Sequence, residues 1–215
     1  MNPETFAPSS SFATLVAVKL LGRVLLAILI LAAAFIAVTI VRASKARDAD
    51  EAYHAALPKT VFVRSISFNG GADMSPSYTC KGEGVSPQIS WDGVPENARS
   101  WVLIATDWDG PSPKFRLGNF THWLLYDIPI NVREIKSAVT SAELKQSNIE
   151  VGNNSTDAAG YMPPCPPLGK HRYVFRVYAL DVPKIDPATP DRDGVMAAMK
   201  GRVLAYGEVV GTFGG

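Results

Sequence analysis

Two aspartates stand at the end of a predicted β-strand, where their side chains would meet at one rim. The apolar segment 100–107 runs into the sequence "DWDGP", so that Asp107 and Asp109 are two positions apart. In an extended chain such residues point the same way, and both carboxylates would then face one site. Asp, Gly and Pro are also the residues that turns use, so this segment taken alone favours a structural turn.

Two histidines each open a segment rich in β-branched and aromatic residues. Alternation along a strand predicts that His122 shares a face with Leu124 and Tyr126, and that His171 shares a face with Tyr173. A single histidine at a strand start is more often structural than functional. Two of them on separate strands favour a common pocket, and carboxylates beside them would favour the charged imidazolium form.

The sequence "PPCPP", residues 163–167, precedes His171 and places prolines on both sides of Cys165. Proline has a restricted φ and no backbone N–H group. Such a segment loses little conformational entropy when it becomes ordered, so we expect it to form a rigid rim. His171 and Tyr173 would supply hydrogen-bond donors beneath that rim.

Strand patterns dominate the C-terminal part of the chain, and turn-forming residues separate them. The predicted strands cover residues 61–68, 88–91, 100–107, 121–128, 171–181 and 202–213. No repeated strand–helix alternation favours a parallel sheet. We therefore expect a mainly β domain, an antiparallel β-sandwich with a few short peripheral helices, one of which ends at Gly201. Residues 140–160 are predicted as a long loop that is functional or mobile.

The N-terminal region contains a long apolar segment. Residues 24–41 carry no charge, and as a helix they would extend ~27 Å at ~1.5 Å per residue, close to the thickness of a bilayer's hydrocarbon core. We predict a tail at residues 1–14, a transmembrane signal-anchor helix at 15–41, a juxtamembrane linker at 42–58 and the globular domain at 59–215. A cleaved signal peptide is the alternative. An anchor of this kind favours an extracytoplasmic domain, on the periplasmic side in a bacterium.

Charge and cysteine content restrict the partners. Acidic and basic residues balance within residues 59–215, which argues against nucleic acid as a partner. Cys80 and Cys165 form no CxxC or Cys/His zinc pattern. They would pair in an exported domain and stay as buried thiols in a cytosolic one, and both alternatives stand.

Four segments resemble one known family when they are taken together. They are "SPSYTCKGEGVSPQISWDGVPENARSWVLIATDWDGP" at 75–111, "FTHWLLYDIP" at 120–129, "GYMPPCPPLGKHRYVFRVYALD" at 160–181 and "AMKGRVLAYGEVVGTF" at 198–213. In this order they resemble the phosphatidylethanolamine-binding protein family, and more specifically its bacterial branch of Raf-kinase-inhibitor-like proteins. The resemblance covers most of residues 60–213 and does not include the apolar N-terminal segment.

The resemblance implies an antiparallel β-fold with a small pocket that binds phosphate-type anions, including phosphorylated lipid headgroups. The ligand-binding residues that it implies are Asp107, Asp109, Pro111, His122, Cys165, Pro166, Pro167, His171 and Tyr173. Two positions depart from the family's pattern. Trp108 stands between the acids in place of proline, and Pro163 stands in place of glycine, so both would reshape or narrow the mouth.

Carboxylates in an anion site need a physical role, because they would repel phosphate directly. We expect Asp107 and Asp109 to orient and charge His122, and His171 with it, so that the rings contact the anion. Arg172 lies on the opposite strand face by alternation and would have a supporting role.

The leading hypothesis is a membrane-anchored binding protein for phosphate-type anions or phospholipid headgroups, which would regulate a partner protein. It predicts no cofactor, no metal ion and no catalytic residue. An enzyme that uses the pocket as a hydrolase or metal site is the first alternative, although HExxH and GxSxG motifs are absent. The second is a kinase or protease inhibitor that acts through its surface outside the pocket.

Overall fold

The computed structural model describes the backbone of residues 10–215 and the side chains of residues 14–215. The first helix, α1, spans Ser10–Ala55, so most of the predicted tail at residues 1–14 lies outside the described residues. Within Thr14–Ala55 the most apolar stretch has a mean hydropathy of 3.2, and none of it is buried. In length and composition this helix is able to cross a membrane, a property that an N-terminal signal sequence shares.

The chain divides into two compact units, one of which ends at Arg42 while the other runs Ala43–Gly215. The second unit includes the last turns of α1, so the predicted linker at residues 42–58 is helical up to Ala55. Asp50 and His54 on these turns are 7% and 5% exposed. This part of the helix therefore belongs to the packing of the domain.

The domain is built from antiparallel strands in three sheets. Its strands are Phe62–Arg64 (β1), Ile89–Asp92 (β2), Ser100–Asp107 (β3), Pro111–Ser112 (β4), Phe115–Arg116 (β5), Phe120–Pro129 (β6), Glu134–Ile135 (β7), Glu150–Val151 (β8), Lys170–Leu180 (β9) and Val203–Gly214 (β10). The large sheet has the order β10-β9-β3-β6-β8, the second sheet has β1-β2-β7, and β4 pairs with β5. The mainly antiparallel β-fold expected from the sequence is confirmed.

Both faces of the large sheet are covered. On one face Trp101 and Phe175 pack with Trp91 of the second sheet, and all three are fully buried. On the other face Leu124 and Tyr178 pack in a second apolar cluster. Since burial of large apolar side chains is the main favourable term in folding, these two clusters fix the strands that carry the site.

Two short α-helices and a 3₁₀ helix, Pro76–Tyr78, lie outside the sheets in the described part of the chain. The predicted C-terminal helix is present as α3, Arg192–Ala198, whose N-cap Asp191 accepts a hydrogen bond from the backbone N–H of Gly194. The loop predicted for residues 140–160 is wrong in part, because this stretch contains the helix α2, Ser141–Gln146, and the strand β8. A capping box between Thr140 and Glu143 starts α2, and the spacing Thr-x-x-Glu was the sequence signal for it.

A buried polar cluster joins the last turns of α1 to the large sheet. The Asp50 carboxylate pairs with Arg192 and, at 3.4 Å, with Arg176. His54 Nε2 lies 2.7 Å from the hydroxyl oxygen of Tyr178. Charged groups are seldom buried without partners, so this network is what allows the end of α1 to pack against the domain.

Candidate functional site

A cavity of about 320 Å³ opens where β3, β6 and β9 meet the proline-rich segment. Eight of the nine residues predicted for the site line it: Asp107, Pro111, His122, Cys165, Pro166, Pro167, His171 and Tyr173. The ninth, Asp109, does not line the cavity. Four residues outside the predicted set complete the wall: Gly110, Phe120, Met162 and Pro163.

An ion pair between Asp107 and His171 forms the floor of the cavity. Nδ1 of His171 lies 2.7 Å from a carboxylate oxygen of Asp107, and both side chains are buried. Nε2 of the same ring lies 3.2 Å from the carbonyl oxygen of Leu168. Both partners are acceptors, so each contact is a hydrogen bond where the ring nitrogen that faces it carries a proton. The other Asp107 oxygen accepts from the backbone N–H of Asp109 at 2.6 Å.

His122 is held differently. Its Nδ1 donates to the carbonyl oxygen of Met162 at 2.8 Å, because a carbonyl can only accept. Burial lowers the pKa of His122 below its ordinary value, against the opposing influence of Met162 and Asp107, and the charge of His171 lowers it further. Asp107 thus acts on the pKa of His122 in the expected direction, but the cost of burying the charged ring outweighs it.

A β-bulge turns His122 toward the cavity. In the pairing of β3 with β6, Ala105 lies opposite Trp123 and Thr106 lies opposite Thr121, which leaves His122 as an extra residue. The His122 ring consequently contacts the Tyr173 ring edge-to-face, with centroids 5.0 Å apart. The prediction that His122 shares a face with Leu124 is wrong, because the bulge breaks the alternation, as bulges beside functional sites commonly do.

Asp109 lies outside the cavity lining and binds two arginines. It orients neither histidine, contrary to the prediction. It binds Arg172 through NεH and Nη2H, each at 2.9 Å, and Arg116 Nε lies 3.1 Å from it. Burial acts to raise the pKa of Asp109, but hydrogen bonds from Arg172 and the charges of both arginines outweigh it, so that this pKa lies below its ordinary value. The supporting role expected for Arg172 agrees with these contacts.

The Tyr173 hydroxyl is the unsatisfied group of the cavity. Tyr173 is 1% exposed, and among the described residues its hydroxyl has no hydrogen-bond partner. Burial, and then the negative charges of Asp107 and Asp109, raise the pKa of Tyr173, so the hydroxyl keeps its proton at neutral pH. An unpaired buried hydroxyl costs free energy, and a ligand oxygen in the cavity would satisfy it.

The proline-rich segment is fixed by a covalent link. Cys80 and Cys165 form a disulfide whose Cα atoms are 5.4 Å apart, and the Cys80 N–H donates to the carbonyl of Pro164 at 3.0 Å. Of the two alternatives for these cysteines, a disulfide or buried thiols, the structure has the disulfide. A second cavity, of about 690 Å³, is also lined by Cys165, Pro166 and Pro167, so the segment forms a wall of both.

The two departures from the family's pattern have different positions. Pro163 lines the cavity, as expected of a residue that narrows its mouth. Trp108 is absent from the lining, and its ring faces the guanidinium of Arg192 at 5.8 Å. The expectation that Trp108 shapes the mouth is therefore wrong, because this side chain packs toward α3.

We expect loss of the disulfide to destabilise the domain. Replacing Cys80 by Ser removes a link between residues 85 positions apart, and removal of a native disulfide costs roughly 2–5 kcal/mol. Denaturant unfolding, followed by tryptophan fluorescence, would measure the difference. A reductant should shift the wild-type curve in the same direction and leave the curve of the variant in place. A wild type that is indifferent to reductant would contradict the prediction.

Of the four wall residues that were not predicted, some could have been identified from the sequence and others could not. Phe120 lies opposite Asp107 in the β3–β6 pairing, so it belongs to the face that carries the site. Met162 contributes its carbonyl oxygen to His122, and a backbone contact of this kind leaves no side-chain signal. Among the residues that the structure describes, no group of three or more His, Cys, Asp or Glu is arranged to hold a metal ion.

Comparisons with known proteins agree on one family. The family model described as phosphatidylethanolamine-binding protein matches residues 64–214. A UPF0098 protein of Aquifex aeolicus is 40% identical over 154 residues, which is 70% of this chain and 86% of that relative. A UPF0098 protein of Methanothermobacter thermautotrophicus is 38% identical over 152 residues, 70% of this chain and 97% of that relative.

Solved structures give the same result. A phosphatidylethanolamine-binding protein homologue from Chlamydia trachomatis superposes with a TM-score of 0.64 at 32% identity, covering 73% of this chain and 99% of that one. YbcL of E. coli, described as a member of the mammalian family, has a TM-score of 0.64 at 24% identity, covering 72% and 98%, and shares the fold. With its paired histidines and proline-rich wall set in this fold, the chain belongs to the phosphatidylethanolamine-binding protein family and is of the bacterial type.

Proposed function

We propose that this protein is a membrane-anchored binding protein whose cavity takes phosphate-type anions or phospholipid headgroups. The observation that carries the proposal is the Tyr173 hydroxyl, buried without a partner in a cavity that opens to the surface. A buried polar group without a partner is expected to be satisfied by a ligand or by ordered water. The name of the family supports a phosphorylated headgroup as that ligand.

The size and charge of the cavity suit a small anion. Its volume of about 320 Å³ is at the lower end of the ~300–1,000 Å³ range of ligand pockets. The carboxylate of Asp107 is engaged by His171 at 2.7 Å and by the backbone N–H of Asp109, so both of its oxygens already have partners. Apolar side chains form much of the remaining wall, which strengthens each hydrogen bond that the anion makes.

The cavity is better suited to binding than to turnover. Its lining contains no serine, threonine or lysine, and its cysteine is held in the disulfide. The serine, threonine, lysine and free cysteine nucleophiles of covalent catalysis are thus missing from the wall. We therefore propose a binding or regulatory role for the site and assign no catalytic residue.

The proposed location is a membrane with the domain on its extracytoplasmic side. The apolar part of α1 supports an anchor by length and composition. The Cys80–Cys165 disulfide supports the side, because disulfides persist in secreted and periplasmic proteins and are rare in the cytosol.

Calorimetric titration of phosphoethanolamine into the full chain tests the proposal. Maltoside micelles keep the apolar helix soluble and contain no phosphate. Replacing Tyr173 by Phe removes a donor to a charged ligand and should weaken binding by roughly 10–100-fold. Tyr126→Phe is the matched control, because Tyr126 packs on the other face of the sheet and should leave affinity unchanged. No binding to the wild type, or full affinity in Tyr173→Phe, would rule out this use of the cavity.

A further inference from the structure

The cavity offers an unusual balance of hydrogen-bonding groups for an anion site. Both ring nitrogens of His171 are engaged, one by Asp107 and one by Leu168. The hydroxyl of Tyr173 is a free donor. Nε2 of His122 makes no hydrogen bond among residues 14–215, and in the neutral ring, whose one proton lies on Nδ1 and goes to Met162, Nε2 presents a lone pair. The free side-chain groups are thus one donor and one acceptor.

A fully ionised anion does not match this pair of groups. Sulfate has acceptor oxygens only, so one of them would meet the lone pair of His122 Nε2 without a proton between them. A phosphomonoester that keeps one proton has both kinds of group. Its P–OH donates to Nε2 of His122, while a charged oxygen accepts from the Tyr173 hydroxyl.

We propose that the cavity binds its anion together with one proton, held between Nε2 of His122 and an oxygen of the ligand, and so selects hydrogen phosphate and phosphomonoesters over sulfate and phosphodiesters. This inference rests on the proposed anion-binding function and specifies the ligand for the same cavity. A free phosphomonoester brings the proton itself. A diester, such as the headgroup of an intact phospholipid, binds only when His122 takes the proton from water.

The groups that face His122 determine how much free energy is needed to protonate its ring when a diester binds. Asp107 at the end of β3 favours the protonated ring, while His171 on β9 disfavours it, and Tyr173 presents a neutral ring edge-to-face. Burial adds to the cost and leaves the pKa of His122 below its ordinary value. A phosphomonoester has its second pKa at about 6, so near neutral pH its proton is easier to supply than one on His122.

The two routes predict different pH profiles. Affinity for phosphoethanolamine should be level below about pH 6 and fall roughly tenfold per pH unit above it, as its protonated form is depleted. Affinity for sulfate should keep rising as the pH falls below 6, because sulfate stays fully ionised and only His122 is left to gain a proton. Near pH 7 we expect phosphoethanolamine to bind at least about tenfold more tightly than sulfate.

Calorimetry of the full chain in maltoside micelles, in buffers of different ionisation enthalpy, measures the proton directly. Near pH 7.5 phosphoethanolamine should bind with uptake of close to one proton, and near pH 5 with almost none. Glycerophosphoethanolamine, the diester headgroup without its lipid chains, should follow the sulfate profile. In His122→Gln the side-chain amide offers N–H donors in place of the lone pair, so sulfate should approach phosphoethanolamine in affinity and proton uptake should disappear.

The outcomes separate this inference from the function on which it rests. Binding of phosphoethanolamine with the expected proton uptake and the expected preference supports both. Equal affinity for sulfate without proton uptake, or tighter binding of the diester than of the monoester, overturns the inference and keeps an anion site. No binding of any of the three anions overturns the proposed function and the inference together. The number of protons that the wild type takes up on binding phosphoethanolamine tests the inference even where His122→Gln does not fold.

Discussion

Replacing Asp107 by Asn should lower the free energy of unfolding by about 3–5 kcal/mol, as is found when one partner of a buried ion pair is removed. Asp107 is 4% exposed and His171 is 1% exposed, so water does not replace the contact that the change weakens. The variant keeps the shape of the side chain, which confines the effect to charge and hydrogen bonding. Denaturant unfolding, followed by fluorescence of the buried tryptophans, gives the value.

An exposed ion pair provides the matched control for Asp107. Asp92 lies 2.6 Å from Arg64, with its side chain 55% exposed and that of Arg64 63% exposed. Surface pairs contribute about 0–1 kcal/mol, so Asp92→Asn should leave the unfolding curve nearly unchanged. If Asp107→Asn proved as mild as Asp92→Asn, the pair with His171 could not be the charged, buried contact described above.

Replacing Asp50 by Asn should have an effect of similar size, again about 3–5 kcal/mol. Its carboxylate is the counter-charge for Arg176 and Arg192, and the side chains of these arginines are only 13% and 18% exposed. Removing that charge leaves two largely buried guanidinium groups with less compensation. Arg176 retains Glu208, whose carboxylate lies 2.9 Å from its Nε, so the loss is expected to come mainly from Arg192.

Asp48 is the control for Asp50. It lies on the same helix two positions earlier and is exposed, so Asp48→Asn tests the loss of a negative charge without the loss of a buried contact. We expect its unfolding curve to coincide with that of the wild type. Equal stability of the Asp50 and Asp48 variants would show that the ion pairs of Asp50 do not stabilise the domain.

The accuracy of the strand predictions follows how strongly burial fixes each strand. Residues 100–107 are predicted to the residue, because all of β3 is buried and lies between two other strands. The strand predicted for residues 61–68 shortens to Phe62–Arg64. After it, Ser65 and the Ile66 N–H bind Gln88, which replaces the regular ladder. Such contacts between distant residues cannot be read from the local pattern.

The residues of the site were more predictable than their roles. Residue types and the family resemblance identify His122, His171 and Asp107 as neighbours in one cavity. They do not reveal that Met162 fixes the His122 tautomer through a backbone oxygen, or that arginines bind Asp109. Both facts depend on which groups meet after folding, as does the burial that lowers the pKa of His122.

The bulge at His122 has a consequence for how this site is acquired and lost. On either side of it, Ala105 faces Trp123 and Thr106 faces Thr121, so deleting the one extra residue would restore a regular ladder between Leu103 and Asp107. The sheet would keep its register and its apolar faces while the cavity lost its free imidazole nitrogen. The proposed binding chemistry is therefore separable from the architecture of the sheet by a single codon.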